Sequence, residues 1–128
     1  MLIDIWRIAE LWDDLIDRDK PVKDEDINAA FYTAIISLPR NEFYQRHFLQ
    51  INPLMESAII DWHAANALEK NGSEVALRQA YVLRCSLVNL IVVAAKIIGG
   101  MDLARTVSGE VRMSGDTWTE YALKHRVQ

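Results

Sequence analysis

Asp13, Asp14 and Asp17 crowd one helical run, and Asp19 follows two residues later, in the segment Leu11-Trp-Asp-Asp-Leu-Ile-Asp-Arg-Asp-Lys-Pro21. Asp13 and Asp17 are one turn apart on the same helical face, a spacing at which two carboxylates can share a divalent cation. Mg²⁺ suits such a pair, because it takes carboxylate oxygens, keeps several waters and can bridge to a diphosphate. The cluster also sits where the helix should end. Exposed carbonyls already make a helix C-terminus negative, so each acid there costs a few tenths to about 1 kcal/mol unless a cation offsets it. A metal ion, a basic partner or a neighbouring arginine is implied.

Asp13-Asp14-x-x-Asp17 is similar to the aspartate-rich motif of isoprenoid synthases, and that resemblance implies magnesium held against a substrate diphosphate by Asp13, Asp14 and Asp17. It covers positions 13 to 17. Such enzymes need a second motif on another helix, which neither Asn66 with Glu69 nor Glu56 with Asp61 reproduces. Glu10-x-x-Asp13 resembles half of the carboxylate pattern of helical nucleotide pyrophosphatases, and the other half is missing. The competing reading needs no metal. Arg40 and Arg46 could fold back onto the cluster, a partner could bring a basic patch, and an Asp14–Arg18 pair at i,i+4 would contribute about 0.3–0.5 kcal/mol. The sequence favours this reading, with no cofactor and no enzyme, and keeps a Mg²⁺-dependent protein acting on a phosphorylated small molecule as the alternative.

The other chemically capable residues assemble no motif. His47, His63 and His125 are far apart, without the Glu-x-x-His or His-x-x-x-His spacing of a di-iron or zinc centre. Glu56 and His63 lie two turns apart on one face and could share a proton, but a histidine at the core boundary is the simpler reading. Cys85 is the only cysteine, so no internal disulfide forms, and it is expected to be a buried, inert thiol.

Aromatic and arginine residues dominate binding hot spots, and Leu38-Pro-Arg-Asn-Glu-Phe-Tyr-Gln-Arg-His-Phe48 gathers both types around a short turn. Together with the acidic face of the first helix, this marks Trp6, Glu10, Asp13, Asp17, Arg40, Phe43 and Tyr44 as the expected partner-binding residues.

Charge supports a basic partner. Residues 1–30 hold nine acids against four bases, while the rest hold nine against ten, so the whole excess of the −4 net charge is N-terminal. No dense Lys/Arg stripe exists to bind a phosphate backbone, and direct nucleic-acid binding is disfavoured. The start Met1-Leu-Ile-Asp-Ile-Trp-Arg lacks the basic-then-apolar pattern of a leader, so the chain is expected in the cytoplasm. Leu87–Gly100 is the most apolar stretch, but Asn89 and Lys96 interrupt it, and it is read as a core helix rather than a membrane span.

The 128 residues suit one domain, 51% hydrophobic and 25% charged, able to bury a core without disulfides or metal. Periodicity predicts an all-α bundle of about five to six helices. The first carries Ile5, Ile8, Trp12, Leu15 and Ile16 on its core side and stops near Arg18 ahead of Pro21. The second starts from an Asp24 cap, turns Ile27, Phe31, Ala34, Ile35 and Leu38 inward, and ends at Pro39. Asn41 caps a short third helix to about Leu49, and Asn52-Pro53 starts a fourth that stops at Asn71-Gly72. Ser73 opens the longest, over 74–98, which ends at Gly99-Gly100 and forms the enclosed centre of the bundle. Residues 101–115 are expected to be irregular or a short strand, and a final helix runs over 117–125. Asn89 and Lys96 could face a second copy, with Asn89 setting the register of a homodimer.

Leu11–Val22, Leu38–Asn41 and Trp62-His-Ala-Ala-Asn-Ala-Leu68 together resemble small helical proteins encoded in bacteriophage and prophage genomes. That resemblance implies a cytosolic accessory or assembly role.

Overall fold

The computed structural model describes residues 1–18 and 20–126, and all regular structure among them is helical. The elements are α1 (Leu2–Asp17), α2 (Asp24–Tyr32), a π-helical turn (Thr33–Ser37), α3 (Leu38–Arg40), α4 (Glu42–Arg46), α5 (Phe48–Asn71), α6 (Glu74–Leu83), α7 (Val88–Arg112) and α8 (Trp118–Arg126). They divide into two compact units, Met1–Phe48 and Leu49–Gln128. Charge divides in the same way, with ten acids against six bases in residues 1–48 and eight of each in residues 49–128.

In the first unit α1 stops where Pro21 predicts. Arg18 takes a left-handed conformation (φ 55°) and its N–H donates to the Asp14 carbonyl at 3.0 Å, closing the last turn. Asp24 is the first helical residue rather than the cap, since Lys23 holds the cap position without a side-chain bond. Asp24, Glu25 and Asp26 still complement the positive end of the α2 dipole. Pro39 does not end the helical path, which continues to Arg40. A proline cannot donate to the carbonyl four residues back and its ring crowds it. The backbone widens beforehand, and Leu38 donates to the Thr33 carbonyl five residues back. Asn41 caps α4 as expected, its Oδ1 accepting from the Tyr44 N–H at 3.0 Å, but the helix ends at Arg46 rather than Leu49. Ile5, Leu38 and Tyr44 are the buried hydrophobic residues of this unit.

α5 begins at Phe48 and belongs from Leu49 onward to the second unit, so Asn52-Pro53 is not its start. Pro53 falls in the second turn, where the single missing bond is the one to Leu49, itself 85% exposed. Gly72, at φ 78°, supplies the predicted left-handed stop, and Ser73 Oγ caps α6 by accepting from the Ala76 N–H at 3.2 Å. Between α6 and α7 the chain tightens into bonds three residues apart, from Ser86 to Leu83 and from Val88 to Cys85, both 3.1 Å.

Gly100 breaks α7 with φ 81° and ψ −173°, a backbone that a side chain would strain. There the chain folds back on itself. Arg112 Nη2 donates to Asn89 Oδ1 at 2.9 Å across 23 residues, which a straight helix would hold about 35 Å apart at 1.5 Å per residue. The two arms, 88–99 and 101–112, form a helical hairpin. Leu90, Ala94 and Ala95 on the first and Ala104 on the second are buried, and the alanines are small enough for a close approach. A Cβ at Gly99 would overlap the Leu103 side chain. The Gly99-Gly100 terminator was therefore correctly placed. The irregular or strand segment over 101–115 was not, because Ala104, Val107, Ser108 and Val111 recur at helical spacing and lose solvent along the second arm.

By length and composition alone, Glu74–Arg112 could cross a membrane, with mean hydropathy 1.9 over 18 residues of which 17% are buried. The turn at 84–87 and the fold at Gly100 divide that stretch into α6 and the two arms of α7. The expected enclosure of 87–98 is thus one-sided: Leu90, Ala94 and Ala95 are buried, whereas Asn89, Lys96 and Ile98 lie in solvent.

Candidate functional site

α1 ends in the acidic cluster because Pro21 forbids a longer helix, and this places Asp13, Asp14 and Asp17 in its last turns. Asp13 and Asp14 are half-buried and Asp17 is exposed, while Asp19 lies outside the described residues. Asp14 pairs with the exposed Lys20 at 3.6 Å. An open depression of 370 Å³ lies here, lined by Asp14, Leu15, Arg18, Lys20, Pro21 and Val22. Among the described residues no group of three or more His, Cys, Asp or Glu side chains is arranged to hold a metal ion.

The residues expected to meet a partner separate by burial. Glu10, Asp17 and Arg40 are exposed, while Trp6, Asp13 and Phe43 are half-buried. Phe43 rests against the His47 ring, 4.7 Å between centroids. Tyr44 is the correction. It is 7% exposed and meets Phe48 edge-on at 5.5 Å, so it belongs to the core, where the Asn41 cap holds its backbone.

A larger departure is on α2 and the π-helical turn that follows it. Phe31 and Ile35, predicted to face the core, are 61% and 64% exposed, Tyr32 between them is 59% exposed, and α2 has no buried residue. The predicted core side of α1 is likewise open toward its end, with Trp12, Leu15 and Ile16 exposed. Burying one such side chain contributes about 1.5–3 kcal/mol, so this unit keeps unused binding energy on its surface.

The second unit holds a polar cluster that sequence reasoning missed as a unit. Glu69 on α5 receives Arg84 at both oxygens, through Nε at 3.0 Å and through Nη2, and Arg84 Nη2 also donates to Asn66 Oδ1 at 2.6 Å. The Tyr121 hydroxyl of α8 donates to Glu69 Oε2, and His125 Nε2 lies 3.3 Å from the same oxygen. Burial raises the Glu69 carboxyl, but hydrogen bonds from Arg84 and Tyr121 and the charges of Arg84 and His125 outweigh it and hold the group below its ordinary value. Burial, then the hydrogen bond and charge of Glu69, push the Tyr121 phenol well above the usual range. A carboxylate with this many donors has little basicity left for proton transfer or metal binding. The cluster ties α5 and α8 to Arg84 at the C-terminal cap of α6 and is structural. Its sequence signals were Asn66-x-x-Glu69 on one face and Tyr121-x-x-x-His125 on another.

Around it, Ala65, Leu77, Ala80 and Tyr121 form a core flanked by Leu68, Tyr81, Leu83 and Trp118. Arg78 covers the Trp118 ring at 4.5 Å, and the Tyr81 hydroxyl donates to the Asp116 carbonyl at 2.8 Å. Of the remaining candidates, Glu56 and His63 are both exposed, Cys85 is half-buried with its thiol 3.7 Å from the Tyr81 carbonyl, and Ser86 donates to Asp61.

No protein-family model, curated protein or solved structure matches this chain.

Proposed function

We propose that this protein works by binding another protein through its first unit, using the apolar face of α2 and its π-helical turn, framed by acids. The observation that carries the reading is the exposure of Phe31 and Tyr32 on α2 and of Ile35 on the π-helical turn that continues it, neither of which has a buried residue. Side chains of this size, grouped at i, i+1 and i+4, make one stripe, and exposed apolar stripes rimmed by charge mark interaction surfaces. The rim sets the partner's sign. Asp24, Glu25 and Asp26 open α2 and are all exposed, in a unit with four more acids than bases, so the complementary surface is basic. An accessory or assembly role agrees with the resemblance to phage-encoded helical proteins.

The magnesium-dependent alternative has no comparable support, since Asp14 pairs with Lys20 and no three ligands converge among the described residues.

The test is photocrosslinking in the cells that encode the protein, from a photoreactive residue at position 31 or 35, with exposed Gln79 on α6 as the control position. One product with a basic partner, formed from 31 and 35, absent from 79 and weakened by Asp24→Lys with Glu25→Lys, is expected. Products that do not depend on position would overturn the reading.

A further inference from the structure

From the geometry of α7 we infer a second interaction surface, the tip of the helical hairpin, whose occupant is the tip of a second copy of this chain. At the turn, Ile98 is 74% exposed, Met101 59% and Leu103 42%. They surround Gly100, which leaves the backbone uncovered where the chain reverses. Leu103 packs against Gly99 of the first arm, whereas Ile98 and Met101 are not among the hairpin's buried positions, which are Leu90, Ala94, Ala95 and Ala104.

Charge selects the occupant. Both signs flank the apolar tip: exposed Lys96 stands on the first arm, and Asp102 and Arg105 stand on the second, with Asp102 93% and Arg105 73% exposed even as they pair with each other. A twofold interface brings a patch against itself, so a patch must carry its own complement. The tip does, since Lys96 of one copy can meet Asp102 of the other while Ile98 and Met101 pack between them. The acidic face of the first unit would repel its own copy, whereas residues 49–128 carry eight acids and eight bases. A lipid surface fits less well, because inserting the tip would strip water from Asp102 along with the apolar residues. Asn89 is not the register residue of this contact, as Arg112 of the same chain already occupies its carbonyl oxygen. The inference is independent of the proposed partner site on α2, which involves other residues and another kind of partner.

Sedimentation of the full-length protein from low to high micromolar concentration tests it, with circular dichroism checking that each variant folds. The wild type is expected to dimerise, and Ile98→Glu or Met101→Glu to be monomeric with an unchanged spectrum. Lys96→Glu or Asp102→Lys alone should raise the dimer Kd at least about tenfold, and the two together in one chain should restore it. A wild type that stays monomeric at high micromolar concentration overturns the proposal. So does a dimer indifferent to all four single substitutions. Binding to phosphatidylcholine–phosphatidylglycerol vesicles, lost in Ile98→Glu and seen without dimerisation, would overturn it in favour of a lipid surface.

Discussion

Arg112 donates to Asn89 across a hairpin whose ends lie 23 residues apart in sequence, and both residues belong to one helical stretch interrupted at a single glycine. The bond is exposed, so it clasps the hairpin without carrying most of its energy. An exposed hydrogen bond of this kind contributes about 0.5–1 kcal/mol, whereas forcing a side chain into the backbone of Gly100 costs about 1–3 kcal/mol.

Gly100→Ala is accordingly expected to destabilise by about 1–3 kcal/mol, and Arg112→Ala by no more than about 1 kcal/mol. Gly109→Ala is the internal control. It lies within the second arm with open space for a Cβ, so alanine should stabilise by about 0.5–1 kcal/mol through helix propensity. Urea unfolding of the three variants would show the opposite signs.

Breaking the Glu69 cluster from either side should be costly, because the partner left behind is a poorly solvated charge. Arg84→Ala and Glu69→Ala are each expected to lose about 2–3 kcal/mol. The double variant should lose less than the sum of the two, since it strands neither charge. Additivity of the two losses would show that the groups do not act together.

The same cluster sets a pH dependence at the acid end. The folded Glu69 carboxyl lies below its ordinary 4.5, so between its folded and unfolded values the unfolded chain binds more protons. Its stabilisation is complete above pH 4.5 and is lost as pH falls below it through the folded value. Asp116, lowered by its hydrogen bond to Lys124, acts in the same direction. Denaturant midpoints measured down the acid limb should fall more steeply for the wild type than for Glu69→Gln.

The alkaline end carries the opposite sign. Tyr121 is raised above its ordinary 10.0, so its contribution is complete below that pH and declines as pH rises toward its folded value. Comparing phenolate absorbance of the wild type with Tyr121→Phe isolates this group, and the difference should develop well above pH 10.0 in the folded protein.

Phe31→Ser and Ile35→Ser should leave stability within about 0.5 kcal/mol of the wild type while removing partner binding, because the side chains are in solvent before the partner arrives. A large stability loss in thermal melts would show that these residues are covered within the protein.

Local chemistry made much of the helical outline legible from residue order alone. Arg18 ahead of Pro21, Asn41, Asn71-Gly72, Ser73, Gly99-Gly100 and Thr117 all marked helix ends that the structure keeps, and Thr117 Oγ1 accepts the Glu120 N–H at 3.2 Å. These signals act within a few residues, so they need no tertiary context. Two of the misplaced boundaries involve proline. Pro39 and Pro53 continue helices because a π turn absorbs one and an early position tolerates the other, and neither accommodation is written in the residue itself. Periodicity also identified the apolar sides of the first two helices, but an apolar side is only a surface that gains by being covered. Whether Phe31, Ile35 and Ile98 meet another helix or solvent was decided by the tertiary structure. Long-range packing likewise brought Glu69 of α5, Arg84 at the cap of α6 and Tyr121 of α8 together, because spacing within one helix carries no information about which other element comes to rest beside it.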